Sequence, residues 1–136
     1  TIRGDLLSTL EDIIKKYDTG ALSSLKRIMI ETTGLADPAP ILQSLIGHPM
    51  MLQRYQLANV ITLVDAVNGS ATLDHHPEAV KQVAIADRLL ITKSDLRPDT
   101  HALKTRLKTL APAARMIDSN DTGFDPGWQR FLRFEI

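Results

Sequence analysis

Ala86-Asp87-Arg88-Leu89-Leu90-Ile91-Thr92-Lys93-Ser94-Asp95-Leu96 is the stretch from which the fold of this chain can be read. Arg88 to Thr92 carries an apolar middle between polar ends, too short for a helix and suited to a strand buried in a sheet. A polar cluster, Thr92-Lys93-Ser94-Asp95, ends it. The same design recurs on either side. Asn59-Val60-Ile61-Thr62-Leu63-Val64-Asp65 is β-branched and apolar up to an acidic end, Arg27-Ile28-Met29-Ile30-Glu31 ends likewise, and Ala114-Arg115-Met116-Ile117 runs into Asp118. Between these runs the period changes to that of a helix. Leu6, Leu7, Leu10, Ile13, Ile14 and Tyr17 recur at helical spacing before Gly20. Pro38 to Ile46 follows Asp37 as N-cap and precedes Gly47 as C-cap. Pro77 to Ala86, Thr100 to Leu110 and Gly127 to Phe131 complete the helices. Strands alternating with helices at this spacing predict right-handed crossovers and an α/β fold: a mostly parallel, doubly wound sheet with flanking helices.

The chain has 136 residues, the size of a single domain, and no internal repeat or Pro/Gly-rich linker divides it. Hydrophobic residues make up 43% and charged residues 24%, the balance of a globular protein rather than a disordered one. Lys and Arg together number 16, as do Asp and Glu, so the formal charge is zero. A neutral chain has no general attraction for nucleic acid or anionic lipid, and neither is expected as a partner. No apolar run approaches the ~20 residues that cross a bilayer. The absence of cysteine excludes disulfides and thiolate metal sites and agrees with a cytoplasmic address.

In a parallel sheet, ligands bind outside the carboxyl ends of the strands, so the chemistry is expected in the residues that follow them. Thr92-Lys93-Ser94-Asp95 is the most specific of these. Guanine presents two adjacent N–H groups that one carboxylate can accept together, and adenine lacks the pair, so Asp95 can discriminate between the bases. Lys93 can lay its aliphatic stem over the base while its ammonium stays in water. Glu31-Thr32-Thr33-Gly34 stands where an acidic strand end can hold a water of a bound Mg²⁺, and Gly34 allows backbone to approach a terminal phosphate. Each motif alone also reads as an ordinary turn after a strand. His75-His76, with Asp74 and Glu78 nearby, offers ligand types for Zn²⁺, although adjacent histidines commonly point apart. Trp128 and Phe131 read as core, and Lys15, Lys16, Arg106 and Lys108 as solvated helix faces.

Taken together and in this order, the motifs resemble the CobW-like branch of the CobW/HypB/UreG family of P-loop GTPases. The resemblance runs through Glu31-Thr32-Thr33-Gly34-Leu35-Ala36-Asp37-Pro38-Ala39-Pro40-Ile41, Gln53-Arg54-Tyr55, Val60 to Val67 and Ala86 to Leu96, and includes Thr1-Ile2-Arg3-Gly4-Asp5-Leu6. It implies a P-loop NTPase-like domain over residues 1–136, binding GTP and Mg²⁺, in a protein that delivers metal. Such relatives serve cobalamin cofactor assembly or zinc supply, with Zn²⁺ or Co²⁺ as cargo and a metalloprotein as client. By the same resemblance Glu31 serves the magnesium shell through water, Gly34 the γ-phosphate, and Thr92, Lys93 and Asp95 the guanine. Ser119 and Asn120 fall in the last base-contacting loop. Thr92 stands where guanine motifs more often have Asn.

The departures are equally definite. No G-x-x-x-x-G-K-[ST] phosphate loop and no Cys-x-Cys-Cys metal motif occur in these residues. The chain therefore reads as an internal fragment, the switch and guanine half of a GTPase, incomplete for want of the first strand and its phosphate loop. The alternative is a non-catalytic scaffold module that keeps a degenerate nucleotide fold. A receiver-like signalling domain is disfavoured because Glu31 is followed by Thr rather than a second acid. Without a central phosphate-loop strand, the strands ending at Glu31 and Asp65 would each lack a neighbour. They are expected either to close on each other or to recruit a second copy as a homo-oligomer.

Overall fold

The computed structural model describes residues 2–122. Its elements, in chain order, are α1 (Ile2–Asp18), α2 (Pro38–Gly47), α3 (Pro49–Arg54), β1 (Ile61–Asp65), α4 (Gly69–His75), α5 (Pro77–Ala84), β2 (Arg88–Thr92), a 3₁₀ turn (Ser94–Leu96), α6 (His101–Leu110) and β3 (Arg115–Asp118). Contacts divide them into two compact units. Among the described residues, one holds those up to Glu31 together with Pro38–Ala58; the other holds Thr32–Asp37 and residues 59–122.

The second unit carries the parallel sheet, in the order β1-β2-β3. Val64 lies opposite Ile91, and Ile91 opposite Asp118, so all three strands end at one rim. Both crossovers step the same way along the sheet. Right-handed connections of that kind lay their helices on the same face. Val64, Leu89 and Ile91 on that face share one core with Leu73 of α4, Ala79 and Val83 of α5, and Leu103 and Leu107 of α6. The opposite face is barer, and Leu63 on it is 67% exposed. Asp87 fastens the starts of β1 and β2: its carboxylate accepts the Val60 N–H at 2.7 Å, and its own N–H donates to the Val60 carbonyl at 2.9 Å. Gly69 lets α4 begin against β1, since a Cβ there would stand 3.0 Å from Val64 Cγ1.

The first unit packs Leu10 and Ile14 of α1 against Leu45 of α2 and Met51 of α3. The glycine stop after α1 is found at Gly20, whose φ of 74° is the left-handed conformation that ends helices. Arg27–Glu31, read above as a strand, is not one. Ile28 and Ile30 do pack on the core of this unit while Met29 between them is 60% exposed, which is the alternation of a strand. What is missing is a ladder. Strand hydrogen bonds need a neighbouring strand, and the sheet of the described residues consists of β1, β2 and β3 alone. The helix expected at Gly127–Phe131, with Trp128, lies outside the described residues.

Candidate functional site

The rim at the carboxyl ends of β1, β2 and β3 brings Asp65, Thr92, Lys93, Ser94, Asp95, Asp118, Ser119 and Asn120 into one neighbourhood. The sheet itself sets their places. The Ala66 N–H donates to the Thr92 carbonyl at 2.9 Å and the Ser119 N–H to the Ile91 carbonyl at 2.9 Å, so the ladders continue one step into the loops.

Lys93 begins the loop with φ 57° and ψ 27°, the single non-glycine residue with positive φ among the described residues. A left-handed conformation costs a side-chain-bearing residue about 1–2 kcal/mol and persists where the surroundings enforce it. Here the chain must turn sharply from β2 into the 3₁₀ turn, and the Lys93 ammonium is held by Asp65 Oδ2 at 2.7 Å. Asp65 is saturated with donors. Its Oδ1 accepts the N–H groups of Val67 at 2.7 Å and Asn68 at 3.2 Å, and Oδ2 also accepts Asn68 Nδ2 at 3.3 Å. The Lys93 hydrogen bond and those backbone donors hold the Asp65 carboxyl at a pKa of about 2, against 3.8 ordinarily. Because Lys93 is half exposed, the pair adds at most about 1 kcal/mol to stability. Its consequence is geometric: the lysine stem is tied down across the rim.

That arrangement predicts a pH effect of definite sign. A carboxyl whose folded pKa is depressed contributes stability above about pH 4 and loses it as pH falls through its folded value. Lys93→Met removes the strongest donor, so Asp65 should titrate closer to 3.8. The stability that Asp65 contributes above about pH 4 is then smaller, and its loss as pH falls toward 2 becomes shallower. Carboxyl NMR titration of both proteins checks this, and an unmoved Asp65 titration would contradict the pairing.

Asp95, in the 3₁₀ turn, is exposed, and its Oδ1 accepts Asn120 Nδ2 at 3.1 Å. The same amide donates to Ser94 Oγ at 3.0 Å. Ser94 in turn donates to Asp118 Oδ1 at 2.6 Å, an oxygen that also accepts the Asn120 N–H at 3.1 Å. Asp118 is only 8% exposed and receives Lys104 Nζ of α6 on its other oxygen at 3.2 Å. Burial alone would raise its pKa; Ser94, the Asn120 N–H and Lys104 outweigh that and hold it below the usual carboxylate range. The chemistry offered at the rim is therefore one braced, outward carboxylate beside a tethered lysine stem, a combination suited to a flat ring bearing paired N–H donors.

Glu31 and Gly34 are not part of the loops that form this rim. Glu31 belongs to the first unit and is exposed. Gly34 sits in a turn of the second unit held by α5, where Gln82 Nε2 donates to the Gly34 carbonyl at 3.0 Å and to the Ala36 carbonyl at 2.8 Å. Lys81 completes the fastening with a 2.6 Å ion pair to Asp37. A single exposed carboxylate suits a water-bridged Mg²⁺ and not a full coordination cage. Among the described residues no group of three or more His, Asp or Glu side chains could hold a metal, and this includes the surroundings of His75 and His76. Asp74 there is paired with Arg106 at 2.7 Å, an ion pair open to solvent. Asp65 and Asp118 are the members the motif reading left without a role. Their strand-end positions in the sequence are the signal that marks them.

Among the described residues no helix is long and apolar enough to cross a membrane. Residues 1–118 match the model of the CobW/HypB/UreG family's nucleotide-binding domain. A protein of Escherichia coli named zinc chaperone YjiA is 40% identical over 123 residues, which cover 90% of this chain and 38% of that relative. A Schizosaccharomyces pombe protein named zinc-regulated GTPase metalloprotein activator 1 is 28% identical over 97 residues, covering 71% of this chain and 22% of the relative. The chain thus spans well under half the length of these curated relatives. The crystal structure of Zn(II)-bound YjiA GTPase from E. coli superposes with a TM-score of 0.81 at 36% identity, over 90% of this chain and 37% of that one. The three-stranded parallel sheet with its flanking helices is accordingly that of a P-loop GTPase. With the family model matched over residues 1–118 of the 136, the chain belongs to the CobW/HypB/UreG family.

Proposed function

We propose that residues 1–136 are the switch and guanine-recognition half of a GTP-binding, GTP-hydrolysing domain in a CobW-like metal chaperone. The observation that carries this is the exposed Asp95 carboxylate, braced through one oxygen by Asn120 beside the tethered Lys93. Asp95 receives the two guanine N–H groups and the Lys93 stem covers the ring. Thr92, Ser119 and Asn120 shape the pocket. Glu31 and Gly34 face the phosphates, Glu31 through a water of Mg²⁺ and Gly34 through its backbone N–H. Bound with the nucleotide, Mg²⁺ neutralises charge that develops on the phosphates. The name zinc chaperone supports zinc ahead of cobalt as cargo, the name metalloprotein activator supports a metalloprotein as client, and the cysteine-free composition agrees with a cytoplasmic setting. A role in cobalamin assembly is the alternative cargo pathway. Neutral net charge disfavours nucleic acid and membrane as partners.

Competition titration with GTP and ATP tests the reading. Guanine should win, and equal binding of the two would overturn it. Turnover is a separate matter. Phosphoryl transfer relies on a phosphate-loop lysine and a metal-binding hydroxyl, and no such motif occurs in the chain. These 136 residues by themselves should hydrolyse little or no GTP, as read by phosphate release. Robust turnover that disappears in Glu31→Ala would show a phosphate site elsewhere in the chain.

A further inference from the structure

Asp118 is the one buried charged residue among the described residues, and guanine recognition as proposed makes no direct use of it. A carboxylate is expensive to bury, and three donors converge on it. Two of these come from the base-recognition loops themselves: the Ser94 hydroxyl, from the residue between Lys93 and Asp95, and the backbone N–H of Asn120. The third, Lys104, comes from α6 and supplies the counter-charge. Ser94 acts in two directions, donating to Asp118 while accepting from Asn120 Nδ2. The other hydrogen of that amide goes to Asp95 Oδ1. The Asn120 amide thus donates outward to Asp95 and inward to Ser94, which donates on to Asp118, so each group has a fixed part. Turning the Asn120 amide over would set its oxygen against the Asp95 carboxylate, and turning the Ser94 hydroxyl would set donor against donor.

We propose that Asp118 is a positioning residue for guanine selectivity: from beneath the rim it fixes Ser94 and Asn120, and through them the orientation of Asp95. This rests on the guanine reading given above and adds to it the means by which an exposed carboxylate keeps one orientation. A free carboxylate on a 3₁₀ turn would rotate among rotamers, and a bidentate contact needs both oxygens in the plane of the base edge. Occupying Oδ1 with Asn120 removes that freedom before the nucleotide arrives, which is the general route by which preorganisation raises affinity.

The test measures GDP against ADP binding by competition, for the full chain and for Ser94→Ala, Ser94→Thr and Asp118→Ala, with folding followed by near-UV circular dichroism. Ser94→Ala breaks the relay at its middle while leaving Asp95, Asn120 and Asp118 in place. It should lower the guanine-to-adenine preference about tenfold, the scale of one hydrogen bond to a charged group. Ser94→Thr, which keeps the hydroxyl, should restore most of the preference. Asp118→Ala should lower it at least as far as Ser94→Ala. A merely structural role would weaken both nucleotides alike and leave their ratio unmoved. Should Asp118→Ala fail to fold, the pair of Ser94 variants decides alone. A guanine preference in the unaltered chain that survives Ser94→Ala overturns the positioning role and leaves the guanine reading standing. No preference in the unaltered chain overturns both.

Discussion

Asp95→Asn is expected to abolish the preference for guanine over adenine nucleotides, at a cost of roughly 1.5–3 kcal/mol, or about 10- to 150-fold in affinity. The direction follows from what already touches the residue. Asn120 Nδ2 donates to Asp95 Oδ1, so an amide at position 95 must present its oxygen to Asn120 to avoid opposing two donors. Its NH₂ is then turned outward, where the paired N–H groups of guanine would approach. Donor meets donor, and the wild-type attraction becomes repulsion. A base edge that offers an acceptor in place of the exocyclic amine, as xanthine does, fits that amide better. Competition titration with guanine, adenine and xanthine diphosphates gives the order. Retention of full guanine preference in Asp95→Asn would remove Asp95 from the site.

How far the sequence alone reaches is clear from individual elements. β2 is found at Arg88–Thr92 as read, because an apolar run between polar ends is the least ambiguous strand signal in a parallel sheet. β1 is shorter by two residues at its start, where Val60 bonds to Asp87 rather than entering the regular ladder. α6, read as Thr100 to Leu110, begins one residue later, at His101, with Thr100 as its flanking residue. α3 and α4 went unread: α3 has six residues after Gly47-His48, which looks like a stop, and α4 opens on glycine, a poor helix former. Arg27–Glu31 has the composition of a strand without a partner in the described sheet, and composition cannot report a missing neighbour. The site divides in the same way. Strand-end logic locates Lys93, Asp95, Ser119 and Asn120 at one rim. The Asn120–Ser94–Asp118 relay depends on loop conformation, chiefly the left-handed Lys93, which carries no local signal because lysine disfavours it.

Ile91→Ala should be among the most damaging single changes in the chain, costing about 2–5 kcal/mol in denaturant unfolding. Ile91 is fully buried, lies opposite Val64 and Asp118 in the two ladders, and accepts the Ser119 N–H on its carbonyl. Truncation opens a cavity between the sheet and α6, and a loss of that size is a large share of the 5–15 kcal/mol by which domains are usually stable. The informative control lies on the neighbouring strand. Leu63 is as apolar as Ile91 but points to the opposite face and is 67% exposed. Leu63→Ala should therefore change stability by no more than about 0.5 kcal/mol if that face meets water. Parallel sheets are ordinarily covered on both faces, and β1 is an edge strand among the described residues. A Leu63→Ala cost approaching that of Ile91→Ala would mean that the bare face is covered in solution. Concentration dependence would then separate the two sources of cover. A transition midpoint that rises with protein concentration, with a dimer in light scattering, would identify a second copy of the chain. An unchanged midpoint and a monomeric mass would assign the cover to the chain's own residues. A loss below 1 kcal/mol for Ile91→Ala would contradict the placement of the core itself, since no fully buried isoleucine in a packed sheet is removed so cheaply.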